Sequence, residues 1–598
     1  MSWLETVGDW LDERTGSRSW ARAWMDSSVA SEPVWRAALT TAVVTCIGVL
    51  ALSGVALMTA YAPSPQTAWA SVHYIQFVLA QGWILRGLHY WAAQMLFVLA
   101  ALHILLGALG GVYRGGREIS WWLTLAIFAL ALGEGITGGL LPWDQRGWWA
   151  RLVEGNIAGL TPVLGGWIAQ MLSGGPELGA LGLMRAFAGH VILLPLLIAA
   201  VLWGRRALWH RANRTAQNNA EPMIPRTDAM ARSAIAALAT ICIAFAFTGA
   251  VHGAPLEAPA DPLSDYPARP EWFLLTLFQL RKLFHGPLEF PGISVVPGLV
   301  ALYFVLLPWI DRPGRSRVVA VAPAVLIFAA AAGLALFAVR HDATDPQVVR
   351  AKAKWDQRAA RASVVAMNGV PAAGALEMMR HDPEVRGEDL FERHCASCHV
   401  LGDLGDPKKA TATDLTGWGT TAWIEAMIHD PDAPRFFGRG PFNDEMPSVD
   451  TKPKNWQQGA AWKPMVKSEA DRHAVALFLA MQGDEPGDPA RSIDAPTKKL
   501  LESAEKLVNN RCTSCHLFGE EGDDEDNGLA PQLRGYGSIA WTRAQIDNPA
   551  TPRSYREKAL SAELKKHMPR FDKDLSAADM DILAQWTRTH ARAAQFKP

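Results

Sequence analysis

The chain has 598 residues, half of them hydrophobic, and 57 Lys and Arg against 58 Asp and Glu leave a net charge of −1. That length exceeds one compact soluble domain. The balanced charge, with no basic cluster in the polar part, excludes nucleic acid as a partner. The apolar residues are concentrated before about residue 340, so a membrane part is expected first and a soluble part after it.

Taken in chain order, the stretch from Met1 to Ala30 carries Asp, Glu, Arg and four Trp. It lacks an apolar core and a small-residue cleavage site, which points to an interfacial segment over 1–36 rather than a removable signal. Seven apolar stretches follow, near 37–60, 88–111, 120–139, 184–203, 233–251, 293–310 and 318–339. Each approaches or exceeds the roughly 20 residues a bilayer core demands. Arg114 and Arg117, then Arg205, Arg206, Arg211 and Arg214, then Arg312, Arg315 and Arg317 fall in alternate connections. By the positive-inside rule those connections are cytoplasmic, the N-terminus is inside, and the soluble part lies outside, in the periplasm of a bacterial inner membrane.

Residues 341–385 are charged, with helical stretches and a Pro-containing break, and read as a linker. Beyond it, CASCH (Cys395, Cys398, His399) and CTSCH (Cys512, Cys515, His516) repeat one frame. Cys-x-x-Cys-His attaches c-type haem: two thiols bond the porphyrin and the histidine ligates iron. A structural zinc site would need four ligands of another arrangement. Low-spin haem commonly takes a methionine as second ligand, and Met446 and Met568, each before a proline, lie well downstream of the two histidines at similar separations. Met465 is a rival for the first site. Each segment has a short helix before its frame and an amphipathic helix after its methionine. Both resemble class I cytochrome c domains, spanning 386–485 and 496–598. Cys46 and Cys242 sit in membrane runs and read as packing residues. The acidic run after the second frame reads as a solvated loop.

Ionisable groups inside a bilayer are kept where they pair, line a cavity or do chemistry. In RGLHYWAAQMLFVLAALHILLG, His89 and His103 are fourteen positions apart. On a helix that is about 21 Å along the axis and within roughly 40° of one face, an arrangement that holds two haems stacked at two depths. His190, near the outer end of RAFAGHVILLPLLIAAVLW, can face His89.

These segments resemble the cytochrome b of the quinol-oxidising cytochrome bc and bf complexes over nearly all of residues 30–340. GWILRGLHYWAAQ resembles the first ligand segment, with Arg86 placed to meet a haem propionate. GITGGLLPWDQRGWWA, containing Pro142, Trp143 and Asp144, resembles the third-helix end and outer-loop helix of the split form. ADPLSDYPARPEWFLLTLFQLRK resembles the segment with the Pro-Glu-Trp-Tyr motif, here Pro270, Glu271, Trp272 and Phe273. The resemblance implies a four-helix haem-binding part over 37–215 and a three-helix part over 216–340, joined in one chain. The expected fold is therefore all-α, a seven-helix transmembrane haem-binding bundle followed by two small cytochrome c domains. It also implies that Glu271 takes a proton from quinol in a pocket lined by Pro142, Trp143, Pro270, Trp272 and Phe273. For Asp144, helix capping is as good a reading.

One departure concerns the inner haem. The family's fourth helix supplies two histidines fourteen or fifteen positions apart, and from His190 that count reaches Gly204 or Arg205. Where the first helix usually has a second glycine, fourteen positions before Gly54, stands Thr40. His103 is left with three alternatives: five-coordinate, ligated by His210 after a bend near Gly204, or without haem.

The resulting expectation is a quinol:cytochrome c oxidoreductase core carrying one b haem, a second in question, and two covalent c haems. Quinol is oxidised at the outer face with proton release there, and electrons pass through a Rieske partner to the c haems and on to a downstream cytochrome or oxidase. That iron-sulfur centre needs two cysteines and two histidines, so it belongs to a separate subunit. The resemblance also implies a homodimeric complex. The rival is a haem-bearing electron wire for another redox enzyme, which has no need of the PEWF segment.

Overall fold

A bilayer core offers the backbone no hydrogen-bond partners, so long apolar runs satisfy themselves as helices. Seven helices have that length and composition: α3 (Val34–Met58), α4 (Gly82–Gly110), α5 (Glu118–Leu140), α7 (Ala180–Thr215), α8 (Arg226–Ala250), α9 (Gly286–Ile310) and α10 (Arg317–Thr344). The protein is a multi-pass membrane protein. Two short helices precede them, α1 (Trp3–Thr15) and α2 (Ser17–Met25), and α6 (Gln145–Gly159) lies between α5 and α7. The computed structural model describes residues 3–218, 222–312, 316–440, 442–443, 446–452, 463–483, 494–520, 530–549 and 568–597. It divides into two units, Met1–Met378 and Met379–Pro598.

In the first unit, α3, α4 and α5 close a core of Val43, Cys46, Leu96, Phe97, Ile127 and Ala131. Strand β1 (Ser28–Ala30) pairs antiparallel with β2 (Met223–Pro225), Val29 opposite Ile224, and ties the N-terminal segment to the start of α8. At the arginine-bearing end of the bundle, the buried Asp311 accepts from Tyr113 Oη at 2.7 Å and Arg114 Nε at 3.0 Å. Trp121 Nε1 donates to the Phe304 carbonyl at 2.8 Å. These bonds join the four-helix and three-helix parts. Within the segment expected as a linker with helical stretches, residues Pro346–Ala366 form a helix, α11. Asp345 caps it by accepting from Gln347 N, and Pro346 begins it, where a missing N–H costs nothing. Its Trp355 and Ala362 are buried, Lys354 pairs with Asp265 at 3.3 Å, and the Ser363 carbonyl lies 3.1 Å from His73 Nε2. Apolar positions on one face dock it against this unit, a burial that charge counting in the sequence obscures.

The second unit holds α12 (Pro383–His394), α13 (Thr421–His429), α14 (Glu469–Gln482), α15 (Ala495–Leu507), α16 (Ile539–Asp547) and α17 (Ala577–Ala593). Side chains of Asp382, Thr420, Ser468, Asp494, Ser538 and Ser576 cap them in that order, each accepting a backbone N–H of the first turn. Within each cytochrome-like segment the later helices pack together, α13 on α14 and α16 on α17, while the helix before each frame packs on the other segment. Helix α12 of the first packs against α17 of the second, and α14 of the first against α15 of the second. Phe391 and Trp586 rings lie 5.6 Å apart, and a Cβ on Gly387 would collide with the Trp586 side chain. Arg386 grips Asp579 through two bonds of 2.8 and 3.0 Å. On the other side Phe478 of α14 meets Phe518 at 5.6 Å, just after the second frame.

The exchange centres on two matching turns, Leu-Thr-Gly-Trp-Gly (415–419) and Leu-Arg-Gly-Tyr-Gly (533–537). Gly417, Gly419, Gly535 and Gly537 all have φ between 72° and 78°, a region that side chains other than glycine's disfavour. The turns touch, and Trp418 Nε1 donates to Tyr536 Oη at 2.9 Å. Near them each segment also meets its own second half, as Trp423 Nε1 donating to the Asp414 carbonyl and Trp541 Nε1 to the Gln532 carbonyl, both at 2.9 Å.

Candidate functional site

Within the membrane, His89 of α4 and His190 of α7 face each other with ring centres 6.1 Å apart. Two imidazoles on opposite sides of one metal ion, each nitrogen about 2 Å from it, have a similar spacing. His89 Nδ1 lies 3.0 Å from Ser53 Oγ. His190 Nδ1 lies 2.7 Å from the Glu134 carboxylate, 3.1 Å from the Glu134 carbonyl and 3.3 Å from Thr137 Oγ1. Partners on Nδ1 fix each ring and leave Nε2 for a metal. Gly54 and Gly138 make room: a Cβ there would stand 3.2 Å from His89 Cε1 and 2.6 Å from His190 Cε1. The two histidines, their Nδ1 partners and the cradle of glycines fit a haem b.

The inner position does not. Four helical turns inward from His89, Gly54 and Gly138 stand His103, Thr40 and Thr124. The π-turn Gly189–Leu193 in α7 inserts one extra residue, so the position matching His190 is Arg205 rather than Gly204. Its guanidinium donates to Thr124 Oγ1, and Thr124 and His103 are both buried. Helix α7 runs unbroken past Gly204, so the bend that would bring His210 round is absent, and the His210 ring stacks edge-on against Trp209 at 5.0 Å. Arg86, expected to meet a haem propionate, is engaged by protein groups. Its guanidinium donates to Gln76 Oε1 at 2.8 Å and to the Ala254 carbonyl at 2.6 Å, tying α4 to the 252–260 loop.

At the other end of the bundle the PEWF segment meets the start of α6. Asp144 caps α6, accepting from Gly147 N at 2.9 Å, and also accepts from Glu257 N at 3.2 Å. Trp143 is buried with φ 51°. Gly147 passes so close to Gly139 that a Cβ would collide with its carbonyl oxygen. Glu271 lines a small cavity with Gly135, Gly139, Arg146, Glu154 and Phe273. Arg146 pairs with Glu257 and lies 3.8 Å from Glu271. Burial pushes the Glu271 carboxyl above its ordinary range; Arg146 pulls it back and Glu257 adds to the rise. Glu154, which the sequence did not single out, is pushed up to about 7 by burial. Phe273 stacks on Phe97 at 4.0 Å, and Trp272 Nε1 donates to Gln94.

In the second unit Cys395, Cys398, His399, Cys512, Cys515 and His516 open on one cavity of about 1190 Å³, as do Met446, Met465 and Met568. His399 Nδ1 lies 2.8 Å from the Thr413 carbonyl and His516 Nδ1 2.8 Å from that of Pro531. Burial favours the neutral ring in both. These residues fit c-type haem. The loops also separate the rival methionines. Val449 N donates to the Ile428 carbonyl at 3.1 Å, and Phe571 N to the Ile546 carbonyl at 3.3 Å. Met446-Pro-Ser-Val449 is therefore the counterpart of Met568-Pro-Arg-Phe571, and Met465 lies beside Val449, bonded through its N–H at 2.8 Å.

Comparison with known proteins agrees with this division. Residues 26–211 match the family described as cytochrome b/b6/petB, 384–481 match cytochrome c, and 499–586 match cbb3-type cytochrome c oxidase subunit III. The menaquinol:cytochrome c reductase cytochrome b subunit of Bacillus subtilis (strain 168) is 38% identical over 213 residues, 34% of this chain and 93% of that protein. Cytochrome b6 of Mastigocladus laminosus is 31% identical over 33% of this chain and 93% of its own length. The cytochrome bc complex cytochrome b subunit of Chlorobaculum thiosulfatiphilum is 30% identical over 44% and 64%. A solved structure titled hyperthermophilic respiratory Complex III aligns with TM-score 0.48 and 24% identity, over 57% of this chain and 93% of that one.

Proposed function

The chain belongs to the cytochrome b/b6 family, with cytochrome c segments in the same polypeptide, and on that footing we propose that it is the core of a membrane quinol:cytochrome c oxidoreductase. One observation carries the reading: one short stretch of α5, Glu134 to Gly139, borders both halves of the chemistry. Gly135 and Gly139 line the cavity of Glu271, while Glu134, Thr137 and Gly138 surround His190. A proton acceptor and an electron-acceptor site thus adjoin one pocket.

Quinol oxidation releases two protons and two electrons. Glu271, its carboxyl raised above the ordinary range by burial and pulled in opposite directions by Arg146 and Glu257, is positioned to accept one proton. Glu154 shares the cavity and is a second carboxylate of the acceptor set. The b haem held by His89 and His190 supplies a one-electron acceptor. The other electron goes to a Rieske partner, because Cys46 and Cys242 lie in separate membrane helices and cannot hold such a cluster. Cys395, Cys398 and His399, and Cys512, Cys515 and His516, would hold the c haems that would supply the route for that electron to a downstream cytochrome or oxidase. The arginine-bearing connections put that end inside and the PEWF end and c segments outside.

The test is anaerobic reduction of the b and c bands by a quinol analogue in the purified complex. Glu271→Gln is expected to slow it by roughly a hundredfold or more with haem content unchanged. Undiminished rates in that variant would leave the electron-wire reading in its place.

A further inference from the structure

The helix exchange in the second unit bears on which methionine serves which haem. Sequence order pairs each Cys-x-x-Cys-His frame with the methionine that follows it. Packing gives the opposite pairing. Helix α12 runs directly into Cys395, and its partner is α17, which follows Met568. His394, the residue before Cys395, has its ring 5.9 Å from Phe571, just past Met568 in the chain. Glu384 pairs with His590 at 2.7 Å, and Gly417 N donates to the Ala591 carbonyl at 2.8 Å, so the contact runs the length of α17. On the other side α15 runs into the second frame and packs on α14, which follows Met446. Resting on the reading of both frames as covalent haem sites, we propose that the axial ligands cross between the repeats. Met568 serves the haem held by Cys395, Cys398 and His399, and Met446 serves the haem held by Cys512, Cys515 and His516.

The chemistry gives the crossing a consequence. A thioether ligand raises the potential of haem iron relative to a five-coordinate or bis-nitrogen site. Under the crossing, each potential is set by a loop belonging to the other repeat. Neither haem site is complete within its own segment, and the two sites form as a pair. The bond from Trp418 to Tyr536 joins the Gly-Trp-Gly and Gly-Tyr-Gly turns where the two segments cross, and the bonds from Trp423 to Asp414 and from Trp541 to Gln532 brace each turn within its own segment.

The test uses the full chain in two backgrounds, Cys512→Ala/Cys515→Ala, which keeps only the first covalent haem, and Cys395→Ala/Cys398→Ala, which keeps only the second. The readouts are the long-wavelength methionine-to-iron charge-transfer band of the ferric haem and its midpoint potential. In the first background, Met568→Ala is expected to abolish the band and lower the potential, while Met446→Ala leaves both. In the second background the effects reverse. Loss of the band through Met446→Ala in the first background, or its survival there in Met568→Ala, overturns the crossing. Should a frame without haem fail to fold, Arg386→Asp and Asp579→Arg in the two-haem protein decide. Each alone lowers the temperature at which the methionine band is lost, and together they restore it; no restoration overturns the crossing. An absence of covalent haem from the unaltered chain would instead refute the haem reading.

Discussion

Arg205 donates a hydrogen bond to the hydroxyl of Thr124, the residue that stands at the inner depth of α5 where Gly138, further out on the same face, gives His190 room. The two depths are built from the same four helices, and they differ at three of four corresponding positions. Outside stand Gly54, His89, Gly138 and His190; inside stand Thr40, His103, Thr124 and Arg205. A haem between two helices needs both ligands and the absence of side chains beside the ring. The inner position keeps only His103.

From this the chain is expected to carry one b haem for every two c haems. Pyridine haemochrome analysis of the purified protein measures the ratio, and redox titration of the b band should fit one component. His103→Ala should leave the b spectrum unchanged. A second low-spin b component that disappears in that variant would show that the inner position is occupied.

The glycines beside the outer histidines predict a graded effect. Gly138→Ala puts a methyl 2.6 Å from His190 Cε1, closer than atoms approach, so the ring must move and most b absorbance is expected to be lost. Gly54→Ala gives 3.2 Å, which a small shift of His89 absorbs. That variant should retain its haem with an altered midpoint potential. Equal losses in both would mean that these contacts do not govern haem retention.

The acid limb of quinol oxidation should follow Glu271. The group acts as a base only when ionised, so the rate rises with pH through a pKa lying above the ordinary carboxylate range. Glu257 raises that pKa by its charge, and Arg146, its partner, lowers it. Glu257→Gln removes the repulsion and leaves Arg146 to Glu271 alone. The acid limb is therefore expected to move to lower pH, read from kcat/KM across the profile. A shift to higher pH would contradict the assignment.

Much of this was legible in the residues because local chemistry demanded it. Two Cys-x-x-Cys-His frames, a histidine pair on apolar helices and a glutamate between Pro270 and Trp272 are each specific in a few positions. Arg205 in place of a ligand could be counted, although the π-turn that makes Arg205 rather than Gly204 the matching position could not be seen. The pairing of the cytochrome halves was hidden for a physical reason. Repeats that both read L-x-G-[WY]-G-x-x-A-W present the same faces to either partner, so pattern alone does not say which helix α12 meets. That shared motif was the available clue to a matched pair. Glu154 was missed because one carboxylate in a mixed helix has no pattern, and only the fold brings it to the Glu271 cavity.

Glu154 also links proton chemistry to stability. Burial raises its carboxyl from 4.5 to about 7, partly offset by Arg151, with Glu271 adding to the rise. A group whose folded pKa is raised binds more protons in the folded state between those two values, so the fold loses stability as pH climbs through that window. At about 1.4 kcal/mol per unit the effect is a few kcal/mol at most. Glu154→Gln is permanently neutral and escapes it. Thermal midpoints of the lipid-reconstituted protein should therefore coincide for variant and wild type near pH 4.5, and the variant should gain steadily up to about pH 7. A variant less stable than wild type at pH 7 would mean that the ionised carboxylate is held by its Arg151 partner rather than strained by burial, and would remove Glu154 from the proton-accepting set.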